Sequence, residues 1–468
     1  MAMVAERNDN RIAAALERLS ARFGERLQTG MALREQHAHT TTYIPNQPPD
    51  GVLFPESTEE VQEAVRICAE HRVPIIPFGV GTSLEGHVNA PRGGICFDMS
   101  RMKRVLAVNR EDLDCTVEPG ITREELNQYL RDTGVFFPID PGANATLGGM
   151  TATRASGTNA VRYGTMRENV LSLDVVLADG RKITTARRAR KTSAGYDLTR
   201  LFVGSEGTLG VITAITLRLH GIPQAISGGV CPFPSVEAAC NAVIMIIQMG
   251  IPIARIELVN TLGVQAINRY SKTAFPEGPC LFVEFHGTEA GVAEQAQMFG
   301  EIAAEFSGGR LDWASAAEER QRLWKARHDF HWSTVTLRPG CKVLATDVCV
   351  PISRLADCIV ETEADIAETG LIAPIVGHVG DGNFHVAVLM DMDNRDEVRR
   401  AESFVSRLNM RALSMGGTCT GEHGIGQGKM RYLETEHGAG VEVMRSIKQA
   451  LDPLNIMNPG KIFDMTGG

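Results

Sequence analysis

At 468 residues the chain is too long for one ordinary hydrophobic core, so two domains are expected. Its 43% hydrophobic and 22% charged residues are those of a globular protein, and the net charge of −9 argues against a nucleic-acid partner, which would need a concentrated basic face. The ten cysteines are scattered with no CxxC pair, which excludes an obvious zinc ribbon or iron–sulfur cluster and suits small buried thiols in a reducing compartment.

The N-terminus is charged early, at Glu6, Arg7, Asp9 and Arg11, and lacks the apolar core of a signal peptide. The most apolar stretch, 242–253, is interrupted by Gln248 and is too short to cross a bilayer. The expectation is a soluble, cytoplasmic protein, at most peripheral at the inner membrane. Residues 1–50 hold an amphipathic helix over 11–23 and a polar run into Pro48-Pro49, a leading segment and not a domain. Ser57 with Glu60 forms a capping box ahead of an apolar stripe at Val61, Ala64, Val65 and Cys68. A strand over 73–77 runs into a glycine-rich loop, strands over 95–98, 105–108 and 114–118 follow, and a second capped helix starts at Thr122 with Glu125. Asp179-Gly180 between two apolar runs predicts a hairpin, the basic run from Arg181 to Lys191 reads as a solvated loop beside it, and a strand over 211–219 closes the segment. Gly221-Ile222-Pro223 is the expected boundary. Beyond it come strands over 254–259 and 281–286 and helices over 353–369 and 394–415. Strands and helices mix without strict alternation, so both halves are α+β.

The loop Pro77-Phe78-Gly79-Val80-Gly81-Thr82-Ser83-Leu84 can turn its amides toward one anion and add two hydroxyls. It fits neither GxGxxG nor GxxxxGK[ST], so the usual nicotinamide and P-loop readings fail. A second cradle, Asp140-Pro141-Gly142-Ala143-Asn144-Ala145-Thr146-Leu147-Gly148-Gly149, a third stretch at Ser156-Gly157, and Gly204-Ser205-Glu206-Gly207-Thr208-Leu209-Gly210-Val211-Ile212 follow in the same half. Such clustering implies a large phosphate-bearing ligand lying along backbone.

The second half carries His378-Val379-Gly380-Asp381-Gly382-Asn383-Phe384-His385. If Asp381-Gly382 is a two-residue turn, the histidines stand directly opposite one another with Cβ atoms roughly 4.5–5.5 Å apart, close enough to share a metal ion. Farther on, Glu422-His423 offers a carboxylate that would complete a two-histidine, one-carboxylate set for zinc or manganese, and an adjacent histidine that could act as a base.

The order of the four glycine-rich segments resembles the FAD-binding domain shared by vanillyl-alcohol oxidase and p-cresol methylhydroxylase relatives. The phrases Ala345-Thr346-Asp347-Val348-Cys349-Val350-Pro351, the 378–385 segment, Thr420–Gly428 and Met457-Asn458-Pro459-Gly460-Lys461 are similar to the branch of the FAD-linked oxidases that holds D-lactate dehydrogenases, D-2-hydroxyglutarate dehydrogenases and the flavin-binding chain of glycolate oxidase. The resemblance covers 52–463. It implies a two-part FAD domain of the p-cresol methylhydroxylase type at 51–222, then an α+β substrate, or cap, domain with an antiparallel sheet at 223–468, whose tail returns to the flavin. It assigns Gly79, Gly81, Thr82 and Ser83 to the pyrophosphate, and Pro77, Leu84, Pro141, Thr146, Gly149, Ser156, Gly157, Glu206, Gly207, Gly210, Ile212 and Asn458 to the cofactor more broadly. FAD is expected to be non-covalent, since His87 lies past the position of the attachment histidine in covalent members.

The same resemblance makes His378, His385 and Glu422 metal ligands, His423 the catalytic base and Arg327 the partner of a substrate carboxylate, a task suited to a bidentate guanidinium. It implies that a chelated 2-hydroxy acid loses its hydroxyl proton to His423 and a hydride to flavin N5, with electrons leaving to an external cytochrome, quinone, electron-transferring flavoprotein or oxygen. D-Lactate is the expected substrate, because hydroxyglutarate enzymes carry a lysine near Ala345; D-2-hydroxyglutarate and a glycolate oxidase complex stay open. A homodimer is the assembly expected, if any.

Overall fold

The computed structural model describes residues 8–40, 42–314 and 316–465; Glu6 and Arg7 of the charged N-terminus lie outside them. The chain divides into two units: Met1–Ser156, Thr165–Ile222 and Glu422–Gly468 form one, Gly157–Gly164 and Pro223–Gly421 the other. No helix among the described residues is long and apolar enough to cross a membrane.

Among the described residues the first unit holds two larger sheets and a short ladder of Val135–Phe136 with His220–Gly221. One orders Leu27–Gln28, Gly51–Leu53, Ile95–Asp98 and Ile75–Phe78, the last three parallel. The other is antiparallel, in the order Val105–Asn109, Asp114–Val117, Val211–Arg218, Val170–Val176 and Lys182–Thr184. Both capped helices form where the sequence places them. Ser57 accepts from Glu60 N at the head of Thr58–His71, but the expected box there is only half formed, because Glu60 Oε2 accepts from Glu56 N instead; Thr122 and Glu125 make the full reciprocal box on Arg123–Leu130. The buried stripe Val61, Ala64, Val65 and Cys68 packs with Ile75, Ile95 and Phe97. The C-terminal segment joins that core: Met457 bridges Ile75, with Ile75 N donating to Ile456 O and Asn458 N to Ile75 O.

The second unit is built on an antiparallel sheet in the order Asp312–Ala314, Ala225–Pro232, Cys280–Gly287, Arg255–Val259, Ile375–Gly377, Asn383–Met390 and Lys342–Ala345, with Val348–Cys349 also paired to Asn383–Met390. Direct pairing of Arg255 with Glu284, Glu257 with Phe282, Val259 with Val376 and Val376 with His385 puts these side chains on one face. The apolar part of that face packs on Thr261–Ser271, Ala317–His328 and Phe330–Val335. Its polar part forms a chain of contacts. Tyr163 Oη lies 2.7 Å from His286 Nδ1, His286 Nε2 2.8 Å from Glu284 Oε1, and Trp324 Nε1 donates to Glu284 Oε2 at 2.5 Å. With the bond from Arg255 Nε to Asn159 Oδ1 (2.9 Å), this network ties the segment Gly157–Gly164 into the unit.

Candidate functional site

In the first unit the strand Ile75–Phe78 delivers the chain into the first glycine-rich loop. Gly81 has φ 67°, and a Cβ there would sit 2.8 Å from Phe78 Cζ, so the turn requires glycine. The loop abuts the second cradle: a Cβ on Gly79 would overlap Thr146 Oγ1, and Thr146 caps Leu147–Thr153 by accepting from Gly149 N. Behind it, Gly207 (φ 74°) leaves room for only 3.0 Å between an added Cβ and Pro77 Cγ. Asn458 Nδ2 donates to Glu206 O (2.7 Å) and His87 O (3.2 Å). Pro77, Gly79, Gly81, Thr146, Gly149, Glu206, Gly207 and Asn458 therefore converge. Gly210 precedes the strand Val211–Arg218, where a Cβ would press on Val175 Cγ1 at 2.7 Å, and the side chain of Ile212 lies in the core. Pro141 and Leu84 are half-buried, Thr82 is exposed, and the chain passes from the first unit into the second between Ser156 and Gly157.

Does this loop suit a diphosphate? Among the described residues, no backbone N–H from Gly79 to Leu84 donates to another protein group, and Ser83 Oγ is buried without a partner. Successive unspent amides and a spare hydroxyl are the donor set a phosphate needs. The residues fit.

His87 Nε2 lies 3.2 Å from Glu206 Oε2, within ion-pair range. The Glu206 carboxylate also accepts from Ile425 N (2.7 Å) and Gly426 N (2.8 Å). Burial pushes Glu206 up, but the proximity of His87 and the two amides outweigh it and hold the carboxyl below its usual range.

In the second unit, His378 and His385 meet with ring centroids 5.4 Å apart and planes at 82°. The expected two-residue hairpin is corrected. The strand stops at Gly377, Val376 is the residue opposite His385, and Val379–Asp381 form a 3-10 turn whose end, Gly382, takes φ 78°. Asn383 N returns to His378 O at 3.3 Å. The longer loop still brings the rings together. His378 Nδ1 lies 2.7 Å from Glu257 Oε1, and His385 Nδ1 lies 3.0 Å from Thr346 O, with Asp347 Oδ1 at 3.7 Å. Each Nδ1 thus faces an acceptor, which leaves Nε2 as the nitrogen each ring can offer to a ligand.

Asp347 is itself braced by Asn383 Nδ2 and Thr420 Oγ1, both at 2.7 Å. Gly421 is pressed so closely on Asn383 that a Cβ would overlap its amide. The chain leaves the second unit there, and Glu422 is one peptide bond farther. Each of His378, His385 and Glu422 carries a donor suited to a divalent ion, the two histidines in the second unit and the carboxylate in the first. His423 Nε2 stands 3.9 Å from Glu422 Oε1.

Arg327 is 7% exposed, on the helix Ala317–His328, and its Nη2 donates to Glu257 Oε2, while its Nε is buried without a partner among the described residues. Burial pushes Glu257 up; the neighbouring His378 and Arg327, with the hydrogen bonds they make to it, outweigh burial and hold the carboxyl below its ordinary range. Sequence reasoning missed Glu257, Asp347 and Asn383 as parts of this site. A signal existed: Arg255-Ile256-Glu257-Leu258-Val259 alternates charge with apolar residues in a strand that is otherwise buried.

Residues 49–186 match the FAD binding domain family, and 222–462, more than half of the chain, match the C-terminal domain of FAD linked oxidases. A probable D-lactate dehydrogenase, mitochondrial, of Danio rerio is 53% identical over 462 residues, covering 97% of this chain and 93% of the relative. The mitochondrial D-lactate dehydrogenase [cytochrome] of Arabidopsis thaliana is 49% identical, covering 89% of this chain and 73% of its own. The structure of p-cresol methylhydroxylase with substrate bound superposes with a TM-score of 0.82 at 17% identity, covering 98% of both chains. The cytoplasmic location expected from the sequence is corrected by these relatives, which are named as mitochondrial. The chain belongs to the FAD-linked oxidases: it is a flavin-dependent oxidoreductase acting on CH–OH donors, built on the p-cresol methylhydroxylase-type fold.

Proposed function

We propose that the protein is an FAD-dependent, metal-assisted dehydrogenase that oxidises D-lactate to pyruvate in the mitochondrion and passes the electrons to a cytochrome. The observation that carries the reading is the pair of perpendicular histidines, each anchored at Nδ1, beside a buried arginine that shares Glu257 with one of them. High identity to proteins named D-lactate dehydrogenase, two of them with a cytochrome in the name, supports the substrate and the acceptor.

His378, His385 and Glu422 would hold a zinc or manganese ion, and the loops around Gly79, Thr146 and Gly207 would hold FAD without a covalent bond. When bound, the flavin supplies a two-electron acceptor for the α-hydride and the metal a Lewis acid for the hydroxyl. Arg327 presents its Nε side to the substrate carboxylate, which selects an acid over a simple alcohol. His423, neutral at Nε2, takes the hydroxyl proton as the C–H bond is broken, so that neither charge builds up alone. Ala345, at the end of the strand Lys342–Ala345, brings no cation for a second carboxylate, which favours a monocarboxylate.

Anaerobic flavin reduction across D-lactate, L-lactate, D-2-hydroxyglutarate and glycolate tests the reading. D-Lactate should bleach the flavin fastest, chelation should abolish bleaching, and zinc or manganese should restore it. Faster reduction by D-2-hydroxyglutarate, or bleaching indifferent to chelation, would overturn it.

A further inference from the structure

Glu257 stands at the centre of the second unit's sheet with 1% of its surface exposed, a place where a carboxylate costs several kcal/mol unless fully paired. An apolar residue of similar volume, continuing the packing of Val259 and Phe282, would serve stability at least as well. Yet both oxygens are spent on groups brought in by different elements. Oε1 meets His378 Nδ1 from the loop after Ile375–Gly377, and Oε2 accepts from Arg327 on the helix Ala317–His328. His385 is held in another way: its Nδ1 meets the main-chain carbonyl of Thr346 at 3.0 Å, with the Asp347 carboxylate farther off at 3.7 Å, so direct carboxylate bonding is not a general requirement for packing a histidine here. The guanidinium is oriented so that its Nε edge remains unspent among the described residues while one Nη is tied to Glu257.

We infer that Glu257 is a positioning residue that sets His378 and Arg327 relative to each other, fixing the Nε2-ligand tautomer of one and the direction of the other with a single buried carboxylate. The inference rests on the metal-ligand reading of His378. A substrate held at once by the ion and by Arg327 needs those two anchors at a set separation, and the Glu257 side chain touches both His378 and Arg327. Glutamine cannot replace it: only one of its two terminal atoms accepts, so its NH₂ faces the N–H of the partner that the other carboxylate oxygen served.

The test titrates Mn²⁺ alone into FAD-loaded, chelator-stripped protein and follows free Mn²⁺ by electron paramagnetic resonance. Glu257→Gln should bind Mn²⁺ about 10–100-fold more weakly than the unmodified chain while keeping its flavin spectrum. Its KM for D-lactate should also rise, since Arg327 loses its guide. Glu257→Asp keeps the charge but is one methylene short of spanning both partners, so it should show the same loss even if the glutamine variant does not fold. Glu284→Gln is the control. That carboxylate lies on the same face but engages His286 and Trp324, and Mn²⁺ affinity should not change. Unaltered Mn²⁺ affinity in a folded Glu257→Gln or Glu257→Asp protein, or an equal loss in Glu284→Gln, overturns the inference and leaves the metal site standing. An unmodified chain that binds no Mn²⁺ overturns the metal reading, and this inference with it.

Discussion

Glu206 holds a backbone angle that few side chains adopt, φ 53°, at 6% exposure, and its carboxylate receives the amides of Ile425 and Gly426. Those amides lie just beyond Glu422-His423, so a cofactor-loop residue also pegs the segment that carries the proposed base. Gly424, φ 82°, allows the approach, because a Cβ there would come within 2.6 Å of Glu206 Oε1 and 2.8 Å of His87 Nε2. Glu206→Gln retains one acceptor but turns an NH₂ toward a backbone donor, so it should cost about 1–3 kcal/mol in thermal unfolding. It should also slow flavin bleaching. His423→Ala separates the chemical role from the structural one. It should keep FAD and melting temperature but lose roughly 10²–10⁴-fold in the rate of substrate-driven bleaching. Bleaching at the original rate would remove His423 from the reaction. None of the pairings of the Glu206 carboxylate is readable locally, since His87 lies 119 residues before it and Ile425 and Gly426 lie 219 and 220 after it.

At the scale of elements, local chemistry was legible wherever it closes within a few residues. Ser57 and Thr122 cap their helices, and Asp179-Gly180 turns between Val170–Val176 and Lys182–Thr184, because each depends on neighbours three or four positions away. The turn at Asp381-Gly382 failed for the opposite reason. Gly382 does take a left-handed φ, but tertiary contacts decide the loop around it: Val350 N donates to Gly382 O at 3.0 Å, and a Cβ on Gly380 would lie 2.6 Å from Val161 Cγ2 and 2.7 Å from Ile256 Cγ2. A loop that packs against three distant segments cannot be placed from a dipeptide rule. Gly382→Ala adds a left-handed alanine and an overlap with Val350 O, so it should destabilise by about 2–4 kcal/mol in chemical or thermal melts and loosen Mn²⁺ binding. A variant as stable as the original would show that the loop can yield, and that the 5.4 Å spacing of the two rings does not depend on it.

For the whole molecule, the strand and helix pattern predicts two α+β halves, while only the family resemblance implies that the tail goes back to the flavin. The return of Glu422–Gly468 to the first unit rests on buried polar pins such as Lys448 Nζ, which meets Asp452 Oδ2 at 2.5 Å, Thr208 O at 2.7 Å and Met457 O at 2.8 Å. No hydrophobic period announces such contacts. The charge balance likewise hides where acid will act. His220, in the short ladder with Val135–Phe136, sits 3.1 Å from Asn169 Oδ1, and burial, with Arg218 and Arg190 nearby, pushes its pKa down to about 4. The folded state therefore keeps this imidazole neutral between about pH 6.5 and 4, where an unfolded chain would protonate it. The unfolded state binds more protons in that window, so stability must fall as pH drops through it, and the loss is complete below about 4. After discounting for partial solvent exposure, this group should account for about 1–3 kcal/mol. Carboxylates held low by their partners, Glu206 among them, lose their contribution only below about pH 4.5, so the two causes occupy different parts of the acid limb. His220→Asn, which cannot be protonated, should flatten the decline in melting temperature between pH 6.5 and 4.5 and leave the steeper fall below it in place. An unchanged slope in that upper window would remove His220 as a cause of the acid limb.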